Sequence, residues 1–125
     1  MITVVMASAM SLAMMQASIS APRSAFVACL NQADAKAEAG KVAVDGYSDF
    51  LLQACAGEAS KLKNALVGFD VKNGVGRKTA AADAETQIND YVASLFDDYQ
   101  IRGELNAPKK TAGAPAAPPG SPPPA

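Results

Sequence analysis

The stretch "CLNQADAKAEAGKVAVDGYSDFLLQAC", residues 29–55, begins and ends with the two cysteines of the chain. Helical patterns lead into it and out of it, and Gly40 in its middle is a natural helix stop. An even number of cysteines in a small exported chain is typical of a disulfide, and two cysteines allow a single pairing. The stretch therefore predicts a helical hairpin closed by a Cys29–Cys55 bridge, with a pair of reduced core thiols as the alternative.

The positions of the cysteines along their helices favour the bridge. The first helix is predicted from about Pro22 to Ala39 and the second from about Tyr47 to Val67. At 1.5 Å rise per residue, Cys29 lies about 15 Å before the end of the first helix and Cys55 about 12 Å after the start of the second. In an antiparallel hairpin these offsets place both sulfurs at the same level, as a disulfide requires.

The remaining pattern is helical as well. A third helix is predicted from about Arg77 to Ile101, and Asp45 or Ser48 is the predicted N-cap of the second. No segment alternates with a period of two, and β-branched residues are sparse, so the fold class is all-α. The predicted inner positions, with the tyrosines in the core or at its edge, are Phe26, Cys29, Leu30, Ala33, Ala37, Tyr47, Leu51, Cys55, Leu62, Leu66, Ala84, Ile88, Tyr91, Val92, Leu95 and Tyr99.

The N-terminal segment, residues 1–20, is uncharged and apolar and is typical of a signal-peptide helix, although it lacks the usual basic start. Ser18 and Ser20 suit positions −3 and −1 of a cleavage site at Ser20–Ala21. We therefore expect a periplasmic or secreted protein, most simply bacterial. An uncleaved inner-membrane anchor and a buried core helix are the alternatives.

The C-terminal segment is rich in proline and alanine and cannot form a core of its own. The sequence thus divides into a signal peptide (1–20), a helical domain (21–104) and a disordered Pro/Ala-rich tail (105–125). The spacings "PAAP" (115–118) and "PGSP" (119–122) superficially match proline-rich docking motifs, but a passive tail or spacer is the preferred interpretation.

Composition argues against several function classes. A net charge of −1 is too balanced to indicate binding to nucleic acid, so we expect no nucleic-acid partner. We expect membrane contact only if the N-terminal segment is not cleaved. The chain has no histidine, no Cys-x-x-Cys motif and no base partner for Ser48 or Ser60, so we expect no enzyme, metal or cofactor. A secreted helical mutase would need convergent arginines, whereas Arg23, Arg77 and Arg102 belong to different helix ends.

One segment, "VKNGVGRKTA" (71–80), contains residues suited to an anion. It fails as a phosphate-binding P-loop because it lacks the glycine spacing and a preceding strand. The candidate anion-binding residues are Lys72, Gly74, Gly76, Arg77 and Lys78, next to the free N–H groups of a helix start. A simple turn between two helices is the preferred interpretation of this segment, with its basic residues balancing Asp83 and Glu85 across the turn.

The function expected from these features is a non-enzymatic binding, adaptor or structural module of the bacterial cell envelope. Its partner would be an unidentified envelope protein or glycan. Two alternatives stay open: binding of a small anion or glycan at the basic turn, and an envelope protein held in the inner membrane by its N-terminal helix.

Overall fold

A computed structural model describes residues 5–107 of the chain, with side chains from residue 18 onward. This part consists of four helices: α1 (Val5–Ala39), α2 (Val44–Ala54), α3 (Ala56–Lys72) and α4 (Arg77–Asn106). No strand occurs within the described residues, which confirms the all-α prediction. The side chains of most of the predicted signal peptide, and the chain beyond Ala107, lie outside the description.

The helices form a bundle in which α2 and α3 together make one bent arm. Both α1 and α4 contact α2 and α3 more extensively than they contact each other. The rings of Phe26 and Tyr91 contact each other midway along α1 and α4, with centroids 5.9 Å apart. The Tyr99 hydroxyl lies 3.3 Å from the Ala37 carbonyl oxygen, near the C-terminal ends of both helices. Helices α1 and α4 therefore run parallel, with the bent arm antiparallel to both.

The predicted disulfide is confirmed. Cys29 and Cys55 are bonded, with their Cα atoms 5.8 Å apart and a sequence separation of 26 residues. Cys55 is completely buried, whereas Cys29 is half-buried. The alternative of two reduced core thiols is wrong in this structure, because neither cysteine is free.

The second helix is not continuous, contrary to the prediction. Cys55, with φ −114° and ψ 23°, leaves helical geometry and separates α2 from α3. The hydrogen-bond ladder nevertheless passes through this point: the N–H of Cys55 donates to the Leu51 carbonyl at 3.0 Å, and the N–H of Ala59 donates to the Cys55 carbonyl at 2.9 Å. The hydrophobic periodicity of the sequence could not show this interruption, because the apolar stripe of the predicted second helix continues on both sides of Cys55.

Helix boundaries also differ at three other points. Pro22 lies inside α1 rather than in a first turn. Helix α2 begins at Val44 with Ala43 as its N-cap and without a side-chain cap, so neither Asp45 nor Ser48 has that role. Asp45 instead lies in the first turn of α2, where its carboxylate is favoured by the positive end of the helix dipole. Helix α4 continues past Ile101 and residue 104 to Asn106, because no proline interrupts it before residue 108.

The core follows the predicted inner faces closely. Tyr91, Leu95 and Cys29 are only partly buried and pack against it. The sequence prediction omitted Ile19 and Ala80, whereas the burial of Tyr47 confirms its predicted place in the core. The buried apolar residues are Ile19, Phe26, Leu30, Ala33, Ala37, Tyr47, Leu51, Cys55, Leu62, Leu66, Ala80, Ala84, Ile88, Val92 and Tyr99.

Two helices end in the same hydrogen-bonded turn with different residues at its critical position. At the end of α3, Gly74 has a φ of 90°, and the N–H of Val75 donates to the Asp70 carbonyl at 2.9 Å. At the end of α1, the N–H of Val42 donates to the Ala37 carbonyl at 2.9 Å, but the left-handed residue is Lys41, with a φ of 52°. Both are Schellman turns, and at the end of α1 the predicted stop, Gly40, lies one residue too early to supply the positive φ.

Candidate functional site

A surface cleft of about 380 Å³ lies where α1 and α4 both end and α2 begins. We call it the α1–α4 cleft. Its size falls within the range of small-molecule and peptide sites in proteins. It is lined by Glu38, Lys41, Val42, Ala43, Val44, Tyr99, Arg102, Gly103, Asn106 and Ala107.

Tyr99 fixes one wall of this cleft. Its hydroxyl donates to the carbonyl oxygen of Val42 at 2.6 Å, and the carbonyl oxygen of Ala37 is 3.3 Å away. These carbonyls belong to the Schellman turn that ends α1, so the bond joins α4 to the α1–α2 connection. The position of Val42 and its neighbours in the cleft is thus set by a side chain from α4.

Aromatic packing supports the same wall from inside the bundle. The rings of Tyr47 and Tyr99 stack at a centroid distance of 4.1 Å and an angle of 16°, and Phe96 lies 6.4 Å from Tyr47. Tyr47 is completely buried and Tyr99 almost so. Such stacking adds about 0.5–1.5 kcal/mol to area burial and restricts the rings to one arrangement.

A charged cluster behind the wall connects three helices. One carboxylate oxygen of Asp34 accepts hydrogen bonds from the hydroxyl of Tyr47 at 2.6 Å and from Nη2 of Arg102 at 2.7 Å. Nη1 of Arg102 lies 3.8 Å from the carboxylate of Glu38, and its guanidinium carbon lies 5.9 Å from the centre of the Tyr99 ring. Arg102 is therefore held in place while part of it faces the cleft.

The electrostatics of this cluster favour a structural role for Asp34 and Tyr47. Burial raises the pKa of the Tyr47 hydroxyl well above its ordinary value, and the hydrogen bond to Asp34 raises it further. The hydrogen bond to Asp34 likewise raises the pKa of Arg102, against the opposing effect of burial. At neutral pH the tyrosine is a hydrogen-bond donor and the arginine a cation, as their bonds to Asp34 require.

The basic turn is only partly assembled as a site. Lys72 and Arg77 line a shared depression of about 410 Å³, together with Asn64, Val67, Gly68 and Val71. Gly74 supplies the left-handed turn and Gly76 is the N-cap of α4. Lys78 lies in the first turn of α4 but does not line the depression.

The predicted charge balance across the basic turn is wrong for Glu85. Glu85 forms an ion pair with Lys63 of α3. Within the described part of the chain, Asp83 and the turn's basic residues take no part in an ion pair. The difference arises because α3 and α4 lie side by side, which brings the middle of α3 next to the early turns of α4.

Sequence reasoning missed Asp34 and Glu38 and assigned Arg102 to an isolated helix end. Two local signals were available. Asp34 follows the inner residue Ala33 directly, and Arg102 lies three residues after Tyr99, which places each at the border of an apolar stripe. Their meeting depends on packing across a sequence separation of 68 residues, which no local spacing shows.

No known protein family, characterised protein or solved structure matches this chain. Among the described residues, none of the helices combines the length and apolar character needed to cross a bilayer. The same residues contain no cluster of three or more potential metal ligands. The assignment of function therefore depends on the disulfide, the α1–α4 cleft and the basic turn.

Proposed function

We propose that the protein is an exported helical binding module of the bacterial cell envelope, with the α1–α4 cleft as its binding surface. The observation that carries the proposal is the Cys29–Cys55 disulfide between packed helices. Stable structural disulfides belong to oxidising compartments such as the periplasm and the cell exterior. The uncharged segment 1–20 supplies a route to such a compartment.

The chemistry of the cleft supports binding rather than catalysis. Its lining is apolar at Val42, Val44 and Tyr99, and Glu38, Lys41 and Arg102 add charged groups. Recognition sites combine an apolar surface with a few fixed polar groups in this way. The Asp34 carboxylate is already engaged by two donors, so it does not serve as a free general base.

Export can be tested by expressing the full sequence in a bacterium, separating the periplasm and measuring the intact mass. We expect residues 1–20 to be absent and the mass to be lower by the two hydrogens lost in the disulfide. A Cys55→Ser variant is the control for the second change. Recovery of a full-length chain in the membrane fraction would favour the inner-membrane alternative instead.

Binding at the cleft can be tested with a matched pair of alanine substitutions. Ala43 lines the cleft and is exposed, whereas Ala82 is exposed near the opposite end of α4. A tryptophan at position 43 fills the cleft mouth, and one at position 82 adds the same bulk elsewhere. A partner captured from envelope extract by the wild type and by Ala82→Trp, but not by Ala43→Trp, is the expected result. Equal capture by all three proteins would place binding outside the cleft.

A second candidate function is the binding of a small anion at the basic turn. It is favoured by one observation: Lys72 and Arg77 line the same depression. Phosphate titration followed by NMR should then show binding that Arg77→Ala weakens strongly. Lys78→Ala, a neighbouring change outside the depression, is the control. Equal weakening by both changes would indicate a general charge effect at the start of α4 instead of a site.

A further inference from the structure

A second surface depression lies between α2 and α4 and shares no lining residue with the α1–α4 cleft. We call it the α2–α4 groove. Its volume is about 270 Å³ and its lining is largely apolar. Leu52 and Phe96 are only partly buried, so their rings and methyl groups face solvent in part. The groove is lined by Ser48, Leu52, Asn89, Val92, Ala93 and Phe96.

The two helices that form this groove are acidic. Helix α2 contains two aspartates and no basic residue, and the stretch 79–101 of α4 contains only acidic charges. Asp49 precedes Leu52 by three residues and Asp97 follows Ala93 by four, so each aspartate neighbours a lining residue on its own helix. Both aspartates are exposed, and neither forms an ion pair with a described residue.

The positive groups near the groove do not offset these aspartates. The positive N-terminus of α2 already has Asp45 in its first turn. Lys63 of α3 is paired with Glu85 of α4. Lys41 and Arg102 line the α1–α4 cleft instead. The α2–α4 groove therefore combines an apolar lining with a negative border.

The basic turn between α3 and α4 has the opposite character. Lys72, Arg77 and Lys78 are exposed, and no described residue forms an ion pair with them. Asp70 is the single carboxylate within residues 61–78 and is half-buried. The negative end of α3 and the positive end of α4 meet at this turn, so their dipoles largely cancel. Val75, which is also half-buried, adds an apolar group between the cations.

The turn and the groove cannot contact each other within one chain. At 1.5 Å rise per residue, Arg77 lies about 18 Å from Asn89 along α4. This distance exceeds the length of an arginine or lysine side chain. Each surface is therefore left to a different molecule.

We propose that the α2–α4 groove binds the basic turn of a second copy of this chain. Val75 contacts the apolar lining, and the cations of the turn pair with Asp49 and Asp97. Because the two surfaces differ, the contact is head-to-tail, and every assembly that does not close leaves one groove and one turn free. The contact is small, so the association is weak and sensitive to salt. The inference does not rest on the α1–α4 cleft and can fail without affecting the function proposed for it.

Carbodiimide cross-linking of the wild-type protein tests where the copies touch, because this reagent joins an amine to a carboxylate in direct contact. Unlabelled and ¹⁵N-labelled proteins are mixed in equal amounts before the reaction, so a product between two copies contains one light and one heavy peptide. We expect such mixed products to join Lys72 or Lys78 to Asp49 or Asp97. Cross-links of these aspartates to Lys109 or Lys110, or cross-links within single chains only, would overturn the proposal.

Sedimentation at increasing protein concentration measures the association itself. A turn variant, Arg77→Gln with Lys78→Gln, and a groove variant, Asp49→Asn with Asp97→Asn, should each raise the dissociation constant about tenfold. An equimolar mixture of the two variants should form a one-to-one pair that does not grow, because the mixture holds one intact turn and one intact groove per pair. A wild type that stays monomeric, or a mixture no tighter than its components, would contradict the head-to-tail contact.

A matched control separates this contact from a general effect of net charge. Asp83→Asn with Asp98→Asn removes the same charge from α4 as the groove variant removes from the protein. Asp98 lies nine residues after Asn89, on the opposite side of α4, and Asp83 precedes the groove by more than one turn. This control should associate as the wild type does. If it weakened association as much as the groove variant, the groove would not be the contact surface.

Discussion

The hydroxyl of Tyr99 donates a 2.6 Å hydrogen bond to the carbonyl oxygen of Val42. These residues are 57 positions apart, and their bond joins the last turns of α4 to the connection between α1 and α2. The wall of the α1–α4 cleft is therefore a tertiary feature, built by a residue that also belongs to the core.

Removing this hydroxyl should destabilise the bundle and loosen the cleft. Tyr99→Phe keeps the stacked ring but leaves the Val42 carbonyl without its donor, which costs about 1–3 kcal/mol. Urea unfolding measures the change. Tyr91→Phe is the control: no hydrogen bond joins the Tyr91 hydroxyl to any described residue, so we expect only a small effect. Equal losses in the two variants would show that the bond to Val42 contributes nothing specific.

The disulfide should supply much of the stability. For a separation of 26 residues, the chain-entropy treatment gives about 3.5 kcal/mol. A double variant with Cys29→Ala and Cys55→Ala should lose about this amount in urea unfolding. Reductant should destabilise the wild type similarly and leave the double variant unchanged. A wild type indifferent to reduction would contradict the stabilising role of the bridge.

The two Schellman turns provide a matched test of backbone conformation. Lys41 occupies the left-handed position where Gly74 stands in the other turn. A side chain in this conformation costs about 1–2 kcal/mol, part of which is offset because glycine loses more entropy on folding. Lys41→Gly should therefore raise the free energy of unfolding by about 0.5–1 kcal/mol, and Gly74→Ala should lower it by a similar amount. If Lys41→Gly destabilised the protein, a role for the lysine side chain in the turn would be indicated.

Alkaline pH should weaken the fold through Tyr47. Its pKa in the folded protein is raised above the unfolded value of about 10, mainly by burial. The neutral Tyr47 hydroxyl therefore makes its full contribution to the free energy of unfolding below about pH 10. As the pH rises from there toward the pKa in the folded protein, this contribution falls by up to about 1.36 kcal/mol per pH unit. Urea unfolding of the wild type and Tyr47→Phe between about pH 8 and pH 11 measures it. The stability advantage of the wild type should shrink above about pH 10, and a constant difference would contradict the assignment.

The sequence predicted the scaffold well because each apolar stripe is a local property. Phe26, Leu30 and Ala33 recur at helical spacing and are buried as expected. The bridge was predictable because its two cysteines lie at matched distances from one connection. The bend at Cys55 was not, since nothing in its apolar pattern marks the change of direction.

The α1–α4 cleft could not be predicted from the sequence, for a different reason. The cluster of Asp34, Tyr47 and Arg102 joins three helices, and its members share no motif. Lys41 adopts a conformation usually reserved for glycine, so the turn that forms the cleft edge does not follow residue preference. The basic turn was conspicuous in sequence, yet only Lys72 and Arg77 of its candidates line a common depression.

The burial of Ile19 bears on when a leader would be removed. This side chain belongs to the core, and the Ser20–Ala21 bond beside it lies within the coils of α1. A protease that binds its substrate as an extended strand cannot cleave a peptide bond inside a folded helix. If the Ser20–Ala21 bond is the scissile one, cleavage must precede folding of the bundle. A chain that folds before cleavage would permanently retain residues 1–20.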